Sequence, residues 1–309
     1  MKKKVKSLLV VLCLIVVAIV LFGNNSSDSG DKKDVVKTED ATQGKDNATN
    51  TSKETVSNSK PKGVSIEEQV LVDQNGIVIT AKEYVHDSIW GDGIKVLVEN
   101  NSDKNVGVSS NALIVNNYMV TDLFTADVAA GKKSNETIYI SSSDLEAVGI
   151  ETVGQIEIYF KVYDSNSWNT IFETDCVTIK TSEYANMDTT PDDAGTELYN
   201  EGGIRIVGKT VDENSFWGSA ILLYCENKSG KNIGISVDDM SINGFMMSPF
   251  FTTTVYDEKM SVDTITIFSN DLEANGIESI DEVELKFHIY DADTYGTIAD
   301  SEPITFSTK

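Results

Sequence analysis

Three acidic residues near the C-terminus have the spacing of a calcium-binding loop. Asp291, Asp293 and Glu302 stand at positions 1, 3 and 12 of a stretch that has glycine at position 6, and carboxylates at these positions bind calcium in the EF-hand. Tyr295 at position 5 removes a side-chain oxygen ligand, and strand-like rather than helical patterns flank the stretch. Because the same residue types favour a hairpin turn, we predict a turn that needs no cofactor and keep the three acidic residues as a metal candidate.

A second motif matches the phosphate-binding loop. The segment 203–210 fits the pattern GxxxxGK[ST] at every letter. Phosphate binding requires such a loop to open a helix whose N-terminal amides contact the phosphates. Here the residues between the glycines alternate as in a strand, and no helical pattern follows. The segment therefore predicts a β-strand.

The sequence contains no recognisable set of catalytic residues. Its two histidines, His86 and His288, are not equivalent in the duplicated segments described below, and neither G-x-S-x-G nor H-E-x-x-H occurs. Carboxylate pairs are common in so acidic a chain and do not single out a glycosidase. We predict that the protein is not an enzyme, and a carbohydrate-active enzyme is kept as the third alternative.

An internal duplication organises the chain that carries these residues. A shift of 127 in numbering aligns 76–179 with 203–306 without a gap, and nearly two in five aligned residues are identical. Self-similarity of this kind is typical of tandem domains. We predict a first repeat at 63–182, a polar linker at 183–197 and a second repeat at 198–309.

Hydrophobic alternation predicts β-strands throughout both repeats. Segments such as 94–99 alternate apolar and polar residues with the period of a half-buried strand. Asn243-Gly244 is a strong two-residue hairpin signal, and 143–146 has the pattern of a capping box for a short helix that Gly149 ends. We therefore predict an all-β fold of two tandem antiparallel β-sandwiches, each with one short helix.

A bulky apolar segment follows the hairpin turn of the second repeat. It has methionine, proline and phenylalanine where the first repeat has valine, aspartate and leucine. Since strand side chains alternate, some of this bulk should face solvent or the other repeat, and methionine and phenylalanine suit an adaptable contact surface. Packing of the hairpin on its own sandwich or against the first repeat is the alternative. The candidate binding residues are Phe245, Met246, Met247, Pro249 and Phe250.

Several short motifs carry a resemblance to a known group of domains. They are Trp90-Gly91, Glu99-Asn100 with Lys104-Asn105, the segment 130–133, and Asp144-Leu145-Glu146 with Gly149-Ile150. On these residues each repeat resembles the immunoglobulin-like domains of exported and membrane-anchored proteins of Gram-positive bacteria, especially clostridia, many of which are domains of unknown function. The resemblance covers both repeats. It implies two tandem Ig-like sandwiches and brings no catalytic residues.

The N-terminal part has the composition of a leader and a stalk. Lysines precede an apolar run at 8–22, as in an export signal, and no small-residue cleavage site follows. We expect 1–23 to remain as a membrane anchor with the rest outside the cell; secretion after cleavage and lipidation at Cys13 are the alternatives. The polar segment 24–62 predicts a disordered stalk.

The net charge of −24 limits the classes of partner. Such a field repels nucleic-acid phosphates, so we expect no nucleic-acid partner. The expected partners are the membrane, through the N-terminal segment, and a cell-wall or protein ligand. The predicted function is a non-catalytic extracytoplasmic binding module tethered to the cell envelope. A structural or envelope-stress surface protein with no dedicated ligand is the alternative.

Overall fold

The computed structural model describes residues 63–87, 91–215 and 218–307. The predicted anchor and stalk, together with Trp90 and Trp217, lie outside these residues. Among the described residues, none forms a helix with the length and apolar character needed to cross a bilayer.

The described part of the first repeat folds into ten strands and one short α-helix. The elements are β1 (Gln69–Gln74), β2 (Ile77–Asp87), β3 (Gly91–Asn100), β4 (Val106–Val115), β5 (Tyr118–Val120), β6 (Thr125–Val128), β7 (Lys133–Ile140), α1 (Ser142–Ala147), β8 (Gln155–Asp164), β9 (Thr170–Glu173) and β10 (Val177–Lys180). One sheet has the order β1-β2-β3-β7, and β10-β8-β4-β5 with β6 and β9 form the other. Apolar side chains from both sheets make one core, as in a β-sandwich.

The second repeat reproduces this arrangement element by element. A 3₁₀ turn (Tyr184–Asn186) precedes it, followed by β11 (Thr196–Glu201), β12 (Ile204–Ser215), β13 (Gly218–Asn227), β14 (Ile233–Ile242), β15 (Phe245–Met246), β16 (Thr252–Val255), β17 (Lys259–Phe268), α2 (Ser269–Ala274), β18 (Glu282–Asp291), β19 (Thr297–Asp300) and β20 (Ile304–Ser307). A separate core lies between its two sheets. The prediction of an all-β fold with one short helix in each repeat is confirmed.

The predicted strand rows and turn are present. Alternate residues of β8 and β18 are fully buried in the two cores: Ile156, Ile158, Phe160, Val162, Val283, Leu285, Phe287 and Ile289. The turn between β14 and β15 holds Asn243 and Gly244 at φ of 50° and 84°. Two successive positive φ angles define the hairpin turn whose twist matches that of the strands.

The predicted start of the first helix was wrong by two residues. The N-terminal cap of α1 is Ser141 rather than Ser143, and its hydroxyl accepts a bond from the Asp144 amide at 3.3 Å. In α2 the equivalent cap position is Phe268, which makes no side-chain cap bond. The capping pattern failed because three serines stand in a row, and only the backbone geometry selects the first as the cap.

Buried asparagines explain one of the repeated sequence motifs. Asn100 and Asn227 are 0% exposed. The Asn227 amide donates to the carbonyl oxygens of Lys231 (2.7 Å) and Val255 (2.8 Å), and its oxygen accepts from the Ser229 amide (3.0 Å). Asn100 makes the equivalent bonds in the first repeat. Each asparagine thus ties a strand end to the turn beside it.

The two repeats share one continuous sheet. Strand β5 of the first repeat pairs in parallel with β17 of the second, with Tyr118 opposite Met260. The pairing joins a sheet of each repeat into a ten-stranded sheet of order β10-β8-β4-β5-β17-β13-β12-β11, with β6 and β9 beside it. Both repeats therefore belong to one compact unit.

Candidate functional site

The candidate hairpin lies at the free end of the second repeat. Strand β15 is the terminal strand of a six-stranded sheet and pairs only with β14 in the described structure. The side chain of Phe245 is 47% exposed and that of Met246 is 66% exposed. Because the two residues are consecutive in a strand, their side chains lie on opposite faces of β15, and both faces of the hairpin expose apolar area.

The remaining three candidates do not all reach the surface. Phe250 is 58% exposed and is held by two backbone hydrogen bonds to Thr266, at 2.9 and 3.0 Å. Pro249 is half-buried. Met247 is only 7% exposed and belongs to the core of the second repeat, so its inclusion in a binding surface was wrong. Its amide donates to the Met240 carbonyl at 2.9 Å, at the point where β15 ends and the chain turns inward.

The equivalent hairpin of the first repeat is covered. Tyr118, the counterpart of Phe245, is 3% exposed and packs with Val148 against Val207, Tyr224 and Met260 of the second repeat. Met119, the counterpart of Met246, packs against the core of the second repeat. The same hairpin end is thus an observed contact surface in one repeat and a free surface in the other.

Polar contacts fix the position of this interface. The Lys259 ammonium pairs with Glu157 at 2.5 Å, and both side chains are nearly buried. Lys259 also donates to the Asn117 side chain at 3.4 Å, and the Met260 amide donates to the Asn117 carbonyl at 3.0 Å. A buried ion pair is favourable only when both partners are present and well placed. The pair therefore specifies one relative position of the repeats.

A cleft of about 500 Å³ opens beside the interface and is lined by both repeats. Three carboxylates line it, those of Asp122, Asp144 and Asp263, and no ion pair in the described structure involves them. Burial raises the pKa of Asp122 and of Asp263 above the ordinary value. The Thr253 hydroxyl donates to Asp263 at 2.5 Å. The lining is rich in hydrogen-bond acceptors and suits a ligand that offers donors.

The calcium-like stretch forms the predicted turn between β18 and β19. One oxygen of Asp291 accepts bonds from the amides of Asp293 (3.1 Å) and Thr294 (2.9 Å), and the other pairs with Lys231 at 3.2 Å. The hydrogen bonds from Thr294, its amide first, and from Lys231 lower the pKa of Asp291. Glu302 lies beyond β19, and the described residues contain no group of three or more metal-binding side chains. The Asp291 carboxylate is thus used to hold the turn.

The phosphate-loop match is a strand, as predicted. Most of it belongs to β12, and Gly203 lies in the turn before that strand at φ 81°. Lys209 pairs with Asp192 at 2.8 Å. The lysine of the motif therefore holds the segment between the repeats.

The local sequence pattern of each repeat predicts neither the interface nor the cleft. A comparison of residue types at equivalent positions of the two repeats does point to the interface. Val207 and Met260, which belong to the apolar cluster at the junction, occupy positions where the first repeat has Thr80 and Lys133. Apolar residues on an outward face of one repeat alone indicate that something covers that face.

No family model matches the sequence, and no curated protein does. Among solved structures, the chain is similar to the SafA pilin in complex with the SafB chaperone of Salmonella enterica, at 13% identity over 70% of this chain and 88% of that chain (TM-score 0.21). The YadV chaperone gives 13% identity over 73% and 98% (TM-score 0.24). A protein of unknown function from Porphyromonas gingivalis W83 gives 10% over 70% and 89% (TM-score 0.21). TM-scores of this size do not establish a shared fold.

Proposed function

We propose that this protein is a non-catalytic protein-binding module held at the outer side of the cell membrane. Its contact surface is the exposed group Phe245, Met246 and Phe250, called the hairpin surface below. One observation carries this proposal. The counterpart of this hairpin in the first repeat is buried in a contact with the second repeat, whereas the hairpin surface is exposed in the described part of the chain.

The physical chemistry of the hairpin surface supports protein binding. Phenylalanine and methionine are enriched in protein–protein interfaces, and large apolar side chains exposed near one strand end can form an interaction site. Each fully buried side chain of this size contributes about 1.5–3 kcal/mol of hydrophobic free energy. Burial of the hairpin surface would therefore contribute favourably to a contact with another protein.

The sequence supports the remaining parts of the proposal. The apolar run at 8–22 would anchor the chain, and the lysines before it would keep the N-terminus inside the cell. The segment 24–62 would hold the repeats away from the membrane. Each repeat would be an Ig-like sandwich, in line with its two facing sheets and single core.

A rigid spacer without a ligand is the second candidate function. The ten-stranded sheet and the Lys259–Glu157 pair that join the repeats favour it. A spacer does not need exposed apolar side chains such as Phe245 and Met246. Whether the hairpin surface binds a partner therefore distinguishes a binding module from a spacer.

The test is the full chain with Phe245, Met246 and Phe250 each replaced by serine. The matched control replaces two exposed apolar residues at the opposite end of the second repeat, Tyr295 (76% exposed) and Ile298 (38% exposed), by serine. Binding to isolated membrane proteins and to cell-wall material is measured by titration. We expect the triple variant to lose at least about tenfold in affinity and the control to keep it, with unfolding free energies that change by less than about 1 kcal/mol. Equal affinity of the triple variant and the wild type would refute the hairpin surface.

A further inference from the structure

The contact between the repeats is heterologous, because each repeat uses a different surface in it. The first repeat contributes its hairpin end, with Tyr118 and Glu157. The second contributes the edge strand and outer face of a sheet, with Lys259 and Met260. A heterologous contact between similar units leaves one unused surface of each kind at the two ends of the pair.

The unused hairpin end belongs to the second repeat. A shift of 127 places Phe245 at the position of Tyr118 and Glu284 at the position of Glu157. Tyr118 and Glu157 are buried by the neighbouring repeat, whereas Phe245 and Glu284 are exposed. The hairpin end is thus complete but uncovered.

The unused receiving surface belongs to the first repeat. Strand β7 is the counterpart of β17, which pairs with β5 at the junction of the repeats. Both β7 and β15 are terminal strands of their sheets in the described structure. A terminal strand presents unpaired backbone groups that can pair with another chain. A β15–β7 contact between two chains would therefore repeat the observed β5–β17 contact.

Charges on the two unused surfaces are complementary. Lys132 is the counterpart of Lys259, is exposed, and takes part in no ion pair of the described structure. Lys132 of one chain would meet Glu284 of another where Lys259 meets Glu157 within the chain. Opposite charges across an interface set the register and speed up association.

The apolar part of the receiving surface differs between the repeats. Leu97 and Lys133 stand where the second repeat has Tyr224 and Met260, so less apolar area is buried. A contact between chains is consequently weaker than the contact within one chain. Tethering of many copies to one membrane raises their effective concentration and offsets this weakness.

We propose that the partner of the hairpin surface is a second copy of this chain. The hairpin end of the second repeat of one copy docks on β7 and the outer face of the first repeat of the next. The inference rests on the proposed function and names the partner. Because the contact is heterologous and leaves both ends open, it forms a row of molecules rather than a closed dimer.

A charge swap in the full chain tests this arrangement. Glu284→Lys alone and Lys132→Glu alone should each reduce concentration-dependent self-association in analytical ultracentrifugation by about tenfold. The double variant should restore it, because the pair then reforms between copies with reversed signs. Glu67→Lys, an exposed site on the first repeat, is the control for net charge. A double variant that associates no better than the single variants would overturn the proposed register.

A cross-link provides a second measurement that does not depend on charge. Tyr118 lies opposite Met260 within the chain, so Phe245 of one copy should lie opposite Lys133 of the next. Chains with Phe245→Cys and chains with Lys133→Cys, both also carrying Cys13→Ser and Cys176→Ser, are mixed and oxidised. We expect a disulfide-linked dimer of the two chains in large excess over a mixture in which Lys180→Cys replaces Lys133→Cys.

The self-association experiments and the binding assay of the triple serine variant test the second copy as partner and the proposed function separately. A chain that stays monomeric at all concentrations and gives no excess cross-link overturns the second copy as partner. If the triple serine variant of that monomeric chain still loses affinity for envelope material, protein binding by the hairpin surface stands. If the triple variant changes nothing in either assay, both proposals fail.

Discussion

At the scale of single residues, a buried amide stabilises the end of each sandwich. We expect Asn227→Ala to lower the free energy of unfolding by about 3 kcal/mol or more, because two carbonyls and one amide lose their partner in a buried place. Urea denaturation measures the loss. Asn111→Ala, at an exposed position, should stay within about 0.5 kcal/mol of the wild type. A loss below about 1 kcal/mol for Asn227→Ala would contradict the role assigned to it.

The carboxylate of Asp263 gives a pH-dependent prediction. Burial raises its pKa, so the folded protein binds this proton more tightly than the unfolded chain does. Its contribution thus favours the folded state at low pH and is lost as the pH rises from the ordinary pKa through the raised one. Asp263→Asn should therefore increase the free energy of unfolding at pH 7 and leave it nearly unchanged at pH 3. Asp103→Asn, at an exposed position, is the control, and equal behaviour of the two variants would count against the burial effect.

At the scale of elements, the first turn of α1 depends on one hydroxyl. Ser141 satisfies the Asp144 amide, which has no partner inside the helix. We expect Ser141→Ala to cost about 1 kcal/mol in thermal or urea unfolding. Ser142→Ala, one residue into the helix and exposed, should cost clearly less. If the two variants are equally stable, the hydroxyl has no capping role.

At the scale of the whole molecule, the junction of the repeats depends on a nearly buried ion pair. Lys259→Ala leaves the Glu157 carboxylate without its cation, and we expect it to lower the free energy of unfolding by about 3 kcal/mol or more. Lys132→Ala is the matched control, because this lysine is the exposed counterpart in the first repeat. It should change stability by less than about 0.5 kcal/mol in dilute solution. Calorimetry of both variants measures the difference, and similar losses would show that the junction does not depend on the pair.

Features that are encoded locally could be predicted from the sequence. The alternation of apolar residues, the Asn243-Gly244 turn and the duplication placed the strands and the short helices, because strand period and turn chemistry act between near neighbours. The same reasoning named Phe245, Met246, Met247, Pro249 and Phe250 as candidates for a contact surface and kept packing of the hairpin as the alternative. It could not assign Met247 to the core, since its direction depends on where β15 ends.

The way in which the repeats are joined could not be predicted from the sequence and is seen in the folded structure. Lys259 and Glu157 are 102 residues apart in the chain, and the pairing of β5 with β17 links two strands whose local sequences predict nothing about each other. Contacts of this kind arise from the shape of whole folded surfaces. For that reason the burial of Tyr118, the exposure of its counterpart Phe245 and the cleft beside the junction became visible only when both repeats were in place.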